Sequence, residues 1–470
     1  MKFYKLHIVL VLLVALGCDV LEQSPQTSID ETTAIRDQKS AEAALNGLYD
    51  QLQSGNYYGD NIQIISDVSS DISQSIGTWD FYREMDTYVT VPGNLEVRNL
   101  WGQIYSAVNH ANNLIADVPG IEATQAVKDQ ILGEAYFIRA LAYFDLSRTF
   151  AGIPGVTGTM GVPIVTEPSR GITDASFPTR PSIQASYDQV LADLQLAEGL
   201  LTGLPSKNRA SEASVKALYS RVYLYLGNDA LAEQYATEVI DNYGLTLEQN
   251  YASIFVDENS SGSIFELAYN TTDGNGIRNW YFPSAEGGRG DIALHQPFAL
   301  DVIGRADDER GDLIALDPNI AGAYYPTKFG KSGGDDNIPI LRLSEMFLNR
   351  AEARANAATT PAERLAALDD LNEVRNRADL ADTAGVGVDT NDEILAAIAH
   401  ERSIEFMMEG HRFYDLVRTG KALTILVGLE RLNGPNETLT NAGRQIFPIP
   451  SREIDANINL DSSSQNEAYR

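Results

Sequence analysis

The sequence predicts an all-α, mainly helical protein in which helix pairs support long irregular loops. Two observations carry this. Over most of the chain apolar residues recur at steps of three and four, as one face of a 3.6-residue helix requires; Val97, Trp101, Ile104, Tyr105, Val108, Ala111, Ile115 and Val118 form one such series. Two intervals, 55–93 and 244–339, lack that period and are rich in Gly, Asp, Asn, Ser and aromatic residues, as irregular surface segments are.

In chain order, a polar stretch at 19–38 leads to a first helix at 39–52, built on Ala43, Ala44, Leu45, Leu48, Tyr49 and Leu52. Helices follow at 97–118 and at 124–150, the latter carrying Ala135, Tyr136, Ile138, Ala140, Ala142, Tyr143 and Leu146. Pro154, Pro163, Pro168, Pro178 and Pro181 then forbid a long helix and predict an extended loop. Helical spacing returns at 182–201, 211–227 and 229–243, and again at 341–357, 361–377, 391–409 and, briefly, 411–419. Across 217–227 and on through Ala232, Tyr235, Ala236 and Val239, small or aromatic residues stand wherever two antiparallel helices must approach closely. That is the logic of tetratricopeptide pairs. Similar wording at 134–143, 343–355 and 367–374 gives a degenerate scaffold interrupted by loops, not a regular superhelix.

The N-terminus reads as a secretory signal. Lys2 and Lys5 precede an apolar run, Ile8 to Leu16, that is too short to span a bilayer. Ala15-Leu16-Gly17 leads into Cys18, the one cysteine of the chain, and polar sequence follows at once. This resembles the lipobox of a bacterial lipoprotein, with Ala15 where Leu is usual. The resemblance implies a signal peptide over 1–17, acylation of Cys18 and a lipidated tether over 18–38, with a single domain over 39–470.

Composition narrows the function classes. One cysteine allows no internal disulfide, so burial has to hold the fold in an oxidising compartment. A formal net charge of −30 repels nucleic-acid phosphates and anionic headgroups.

The C-terminal third carries a recognisable order of motifs. Ile340-Leu-Arg-Leu-Ser-Glu-Met-Phe-Leu-Asn-Arg-Ala-Glu-Ala-Arg354 is followed by Leu371-Asn-Glu-Val-Arg-Asn-Arg-Ala378. Then come Ile398-Ala-His-Glu-Arg-Ser-Ile-Glu-Phe-Met-Met-Glu-Gly-His-Arg-Phe-Tyr-Asp-Leu-Val-Arg418 and Ile446-Phe-Pro-Ile-Pro-Ser-Arg-Glu-Ile-Asp-Ala-Asn457. The series, with the early Asn46-Gly47-Leu48-Tyr49 helix, resembles the SusD/RagB family of outer-membrane nutrient-binding lipoproteins. The resemblance implies a SusD-like fold, with an N-terminal part over 39–330 and a RagB/SusD-type part from about 331 to 470. It also implies a non-catalytic, surface-exposed lipoprotein that captures an oligosaccharide or polysaccharide and passes it to a SusC-like TonB-dependent transporter. Asp19 and Glu22, close behind Cys18, are compatible with a surface-export signal.

Catalytic and metal chemistry find little support. Glu401, Glu405 and Glu409 lie four apart, as paired glycosidase carboxylates could, but Arg402, Arg412 and Arg418 nearby point to an ion-pair network bracing the last helices. His400 and His411 have no His or Cys companion at ligand spacing. Asp307-Asp308-Glu309 and Asp335-Asp336 lack calcium-loop grammar and read as solvated turns. No nucleophile triad, phosphate loop or dinucleotide fingerprint is present, so no catalytic residue, metal or cofactor is expected.

Sugar binding needs other equipment: an aromatic ring against the apolar face of a pyranose, with polar side chains around it. Aromatics in loops are the informative ones. Trp101, on a helical stripe, is expected in the core. Trp79 sits outside the periodic helices beside Tyr82, and Trp280 follows Arg278 and Asn279 and precedes Tyr281 in a Gly/Asn-rich loop. Tyr324 and Tyr325, and Tyr57 and Tyr58, are further candidates. The alternatives are a helical-repeat protein-interaction scaffold, for which these rings would be buried anchors, and a peptide-binding lipoprotein, for which charged side chains would line the pocket.

Overall fold

The computed structural model describes residues 34–256, 258–383, 389–432 and 434–470; the expected signal, Cys18, Asp19, Glu22 and most of the tether lie outside them. In its first half stand α1 (Gln38–Gln53), α2 (Asn61–Val68), α3 (Asp80–Asp86), α4 (Leu95–Asp117), α5 (Gln125–Leu146), α6 (Ile183–Glu198), α7 (Glu212–Tyr225) and α8 (Asp229–Asn242). The irregular middle includes α9 (Ile277–Tyr281) and α10 (Gln296–Gly304), and α11 (Leu343–Ala357), α12 (Pro361–Arg377), α13 (Asn391–Glu405) and α14 (Arg412–Arg418) follow.

Helix starts obey capping chemistry. Asp37, Ser211, Thr360 and Thr390 each close a capping box with the residue three further on, satisfying backbone N–H groups that the first turn leaves unpaired. At α12 the backbone N–H groups of Thr359 and Thr360 hold the Glu363 carboxylate down to about 2. The mainly helical architecture read from the sequence is present, with the long expected helices in place and their ends moved by a few residues. Helix α13 stops at Glu405, where the sequence period ran on to 409: Met408 and Gly410 take left-handed φ values of 64° and 76° and turn the chain away.

Packing follows the small-residue pattern. Helix α5 lies between α4 and α6, α8 packs on both α7 and α11, and α11 meets α12 and α13. Residues Ala135 to Leu146 of α5 are buried except for Tyr136, which makes this helix the spine. The main apolar core draws residues from Ala41 through to Ile449, and Trp101 is in it, 3% exposed and edge-on to Phe150.

Among the described residues six short strands interrupt the helices. β1 (Ser73–Ser75), β3 (Ile292–Leu294), β5 (Tyr324–Pro326) and β4 (Ile314–Leu316) form an antiparallel sheet in that order, and β2 (Ser263–Leu267) pairs with β6 (Ile338–Arg342). In the first sheet Ser73 lies opposite Leu294 and Ser75 opposite Ile292. This pairing ties the loop after β1 to the loop before β3, two segments more than 200 residues apart in the chain.

The C-terminal glutamates are ion-paired as expected, but their partners come from elsewhere. Glu405 pairs with Arg310, Arg342 and Arg377 at 3.2, 2.8 and 2.6 Å, all buried. Glu401 takes Arg305, Arg310 and Arg375, and Glu409 takes Lys328 and Arg342. The arginines near them in sequence turn away: Arg402 binds Asp415, Arg412 binds Asp71, and Arg418 binds Glu352 and Asp415. Asp308 and Asp336 are not solvated turns. Asp308 is buried against Arg310, and Asp336, also buried, accepts from the Lys331 backbone. Helical periodicity could not show this, since it registers only neighbours within one helix.

Candidate functional site

Three segments converge on one face. The first follows β1, where Ile76 and Gly77 both donate backbone N–H groups to the Asp291 carbonyl, at 2.8 and 3.0 Å. A Cβ at position 77 would stand 2.3 Å from Oδ1 of Asp291, so the approach needs glycine. Two residues on, Trp79 is the N-cap of α3 and 42% exposed. The second segment is α9, brought against the start of α2 by the hydrogen bond from Gly276 N–H to the Gly59 carbonyl, 2.9 Å. The third is the glycine-rich stretch 287–291, whose Arg289 N–H donates to the Asn279 carbonyl at 2.7 Å.

The side chains build a platform. Trp79 stacks on Phe81, centroids 5.3 Å apart and planes 27° from parallel. Trp280 stands edge-on to Tyr82 at 5.1 Å and to Phe81 at 6.4 Å. The Arg289 guanidinium lies 5.0 Å from the centroid of Trp79 and 5.1 Å from that of Trp280, so it links the two indoles. Its Nε donates to Asp291 at 2.7 Å. Beneath, the Trp280 indole N–H donates to Asp60 at 3.1 Å.

The sequence candidates separate into a front and a back. Trp79, half-buried Trp280 and exposed Asn279 are at the front. Tyr82 and Tyr281, each 1% exposed, are buried braces rather than ligand-facing rings: Tyr82 donates to Asn61 at 3.3 Å and Tyr281 to Asp67 at 2.8 Å. Arg278 covers the Phe282 ring at 4.3 Å and donates to the Gly330 and Glu286 carbonyls, which fastens the loop. Tyr325 packs on the other side of that loop against Phe282, 5.3 Å away, while Tyr324 joins the cluster of Ile72 and Leu294. Tyr57 and Tyr58 are buried with both hydroxyls on Asp145. A buried ring has no free face for a sugar, so Tyr57, Tyr58, Tyr82, Tyr281 and Tyr325 support the fold, while Tyr324 is half-buried.

Sequence reasoning missed Phe81, Arg289, Asp291 and Asp60. The signal for Arg289 was a second glycine-rich run, Gly287-Gly288-Arg289-Gly290-Asp291. Asp60 had none, because only the fold sets it beside Trp280. Burial pushes the Asp60 carboxyl up to about 7, with the indole N–H pulling down and Glu96 adding to the rise. Among the described residues no group of three or more His, Cys, Asp or Glu side chains is arranged to hold a metal ion.

Comparison with known proteins agrees from both ends of the chain. A family model described as the SusD family matches residues 317–469, and one described as "Starch-binding associating with outer membrane" matches residues 19–224. The chain belongs to the SusD family. The SusD-like protein P38 of Formosa agariphila is 26% identical over 98% of this chain and 99% of its own length. A crystal structure of a SusD superfamily protein from Bacteroides thetaiotaomicron superposes with a TM-score of 0.78 at 28% identity, covering 92% of this chain and 99% of that one. The starch-binding protein SusD of the same organism is 35% identical over 137 residues, 29% of this chain and 22% of its own.

Proposed function

We propose that the protein binds a glycan on the platform of Trp79 and Trp280, with Arg289, Asp291 and Asn279 supplying hydrogen bonds to sugar hydroxyls. The observation that carries this is the pair of accessible indoles joined by one guanidinium, a surface that offers apolar faces and donors side by side. The starch-binding name of a partial relative supports the same ligand class. The protein binds without cleaving: Glu401, Glu405 and Glu409 are each committed to two or more ion pairs in the interior. The outer-membrane name of the family model and the lipobox-like Cys18 support a lipid-anchored position at the outer membrane, facing outward. From there it delivers its glycan to a SusC-like TonB-dependent transporter.

The test is affinity electrophoresis of the mature protein through gels containing soluble starch, laminarin, xylan or pectin. Retardation by one glycan, abolished by Trp79→Ala and by Trp280→Ala, is the expected result. Migration that none of the glycans slows would overturn the reading.

A further inference from the structure

Under the platform lies one carboxyl with a single side-chain partner. Asp60 Oδ2 accepts the Trp280 indole N–H at 3.1 Å. The loop before α9 comes so close that a Cβ at position 276 would lie 2.0 Å from this same oxygen, and glycine alone leaves it clear for the indole. The charged or titratable groups around Asp60 are Glu96 on α4, Tyr82 on α3 and Tyr269, none of them a cation. Arg289 stands near Trp280 but is paired with Asp291.

We propose that Asp60 is the positioning residue of the platform: its carboxyl holds the Trp280 indole upright against Tyr82, and its charge state sets how firmly the platform holds a sugar ring. The proposal rests on the glycan-binding reading above. As a carboxylate, Asp60 makes a charge-assisted bond to the indole N–H; as the neutral acid it makes an ordinary one, roughly half as strong. Trp280 in turn shares the Arg289 guanidinium with Trp79, so a loosened indole also loosens the cation that joins the two rings. Burial without a neighbouring cation places the change of charge at about pH 7, within reach of ordinary buffers. Affinity should therefore rise as the pH passes upward through that value.

Two readouts on the mature protein test this. The Trp280 indole N–H resonance, assigned by its absence in Trp280→Phe, should shift with a midpoint near pH 7 in the wild type and stay fixed in Asp60→Asn. Retardation in starch and laminarin gels should be about threefold stronger at pH 8 than at pH 5.5, and Asp60→Asn should show the weaker value at both. Gly276→Ala, which crowds the same oxygen, should displace the resonance and weaken binding even if Asp60→Asn folds poorly. A wild-type resonance that ignores pH, or an Asp60→Asn protein with the wild-type profile, would sink the proposal. No retardation at any pH would overturn the glycan reading and the affinity half of this one, while the resonance would still decide whether Asp60 holds Trp280.

Discussion

Two of the regions in which this molecule buries carboxyls treat them in opposite ways. Around α13 the Glu405 carboxylate meets three arginines, and Arg377, Arg342 and Arg310 together outweigh burial and hold it well below the ordinary range. Under the platform Asp60 and Asp67 have no ion pair. Burial pushes them up to about 7 and about 8, against hydrogen bonds from Trp280 and Tyr281. The first arrangement locks charge in place to join helix to loop. The second leaves carboxyls without an ion-pair partner beneath aromatic rings, so that they change charge close to neutral pH. Motif density along the chain thus marks where the frame is bolted, and the proposed binding face lies where motifs are sparse.

The largest expected effect breaks the first region. Glu405→Ala leaves Arg310, Arg342 and Arg377 buried without their shared anion, and unfolding in urea should show a loss of about 3–5 kcal/mol. Next comes the platform. Trp79→Ala should weaken glycan binding by on the order of 2 kcal/mol in calorimetry. Its melting temperature should stay close to wild type, because that ring is already 42% exposed.

The pH response sharpens the contrast. A carboxyl whose value is raised on folding contributes stability at low pH and loses it as the pH rises through the folded value. Asp60 and Asp86, both at about 7, should therefore each cost on the order of 1–2 kcal/mol between pH 6 and 8, and Asp67, at about 8, less, seen as a falling melting temperature. Asp67→Asn should flatten the upper part of that fall. Glu405 runs the other way, its contribution fading only as the pH drops below the ordinary carboxylate range. Smallest of all, Arg83→Ala removes an exposed pair with Asp80 and should change stability by less than about 0.5 kcal/mol.

The frame was legible in the sequence because its long helices repeat small and apolar residues at helical spacing, as in α4, α7 and α11, and because Thr360 with Glu363 marks the start of α12. Helix α2 was hidden for the opposite reason. All its residues are buried, Asn61, Gln63, Ser66 and Asp67 among them, so it has no polar face to alternate with an apolar one. Of the site, the two tryptophans stood out as aromatics in glycine-rich loops, whereas Tyr82 and Tyr281 looked the same in sequence and proved to be braces. Which ring faces outward depends on contacts between segments some 200 residues apart, such as Trp280 with Asp60, and local spacing cannot encode those.

The paired hydrogen bonds from Ile76 and Gly77 to Asp291 make the two loops of the platform a single mechanical part. Their lengths are therefore not independent variables. One residue inserted between Gly77 and Trp79, or between Trp280 and Asp291, would move one indole against the other by up to about 3.3 Å while the helical frame stayed as it is. Under the proposed glycan-binding role, changing the ligand this scaffold accepts is a matter of trimming or extending two short loops together, with the anchored glycine contact as the ruler.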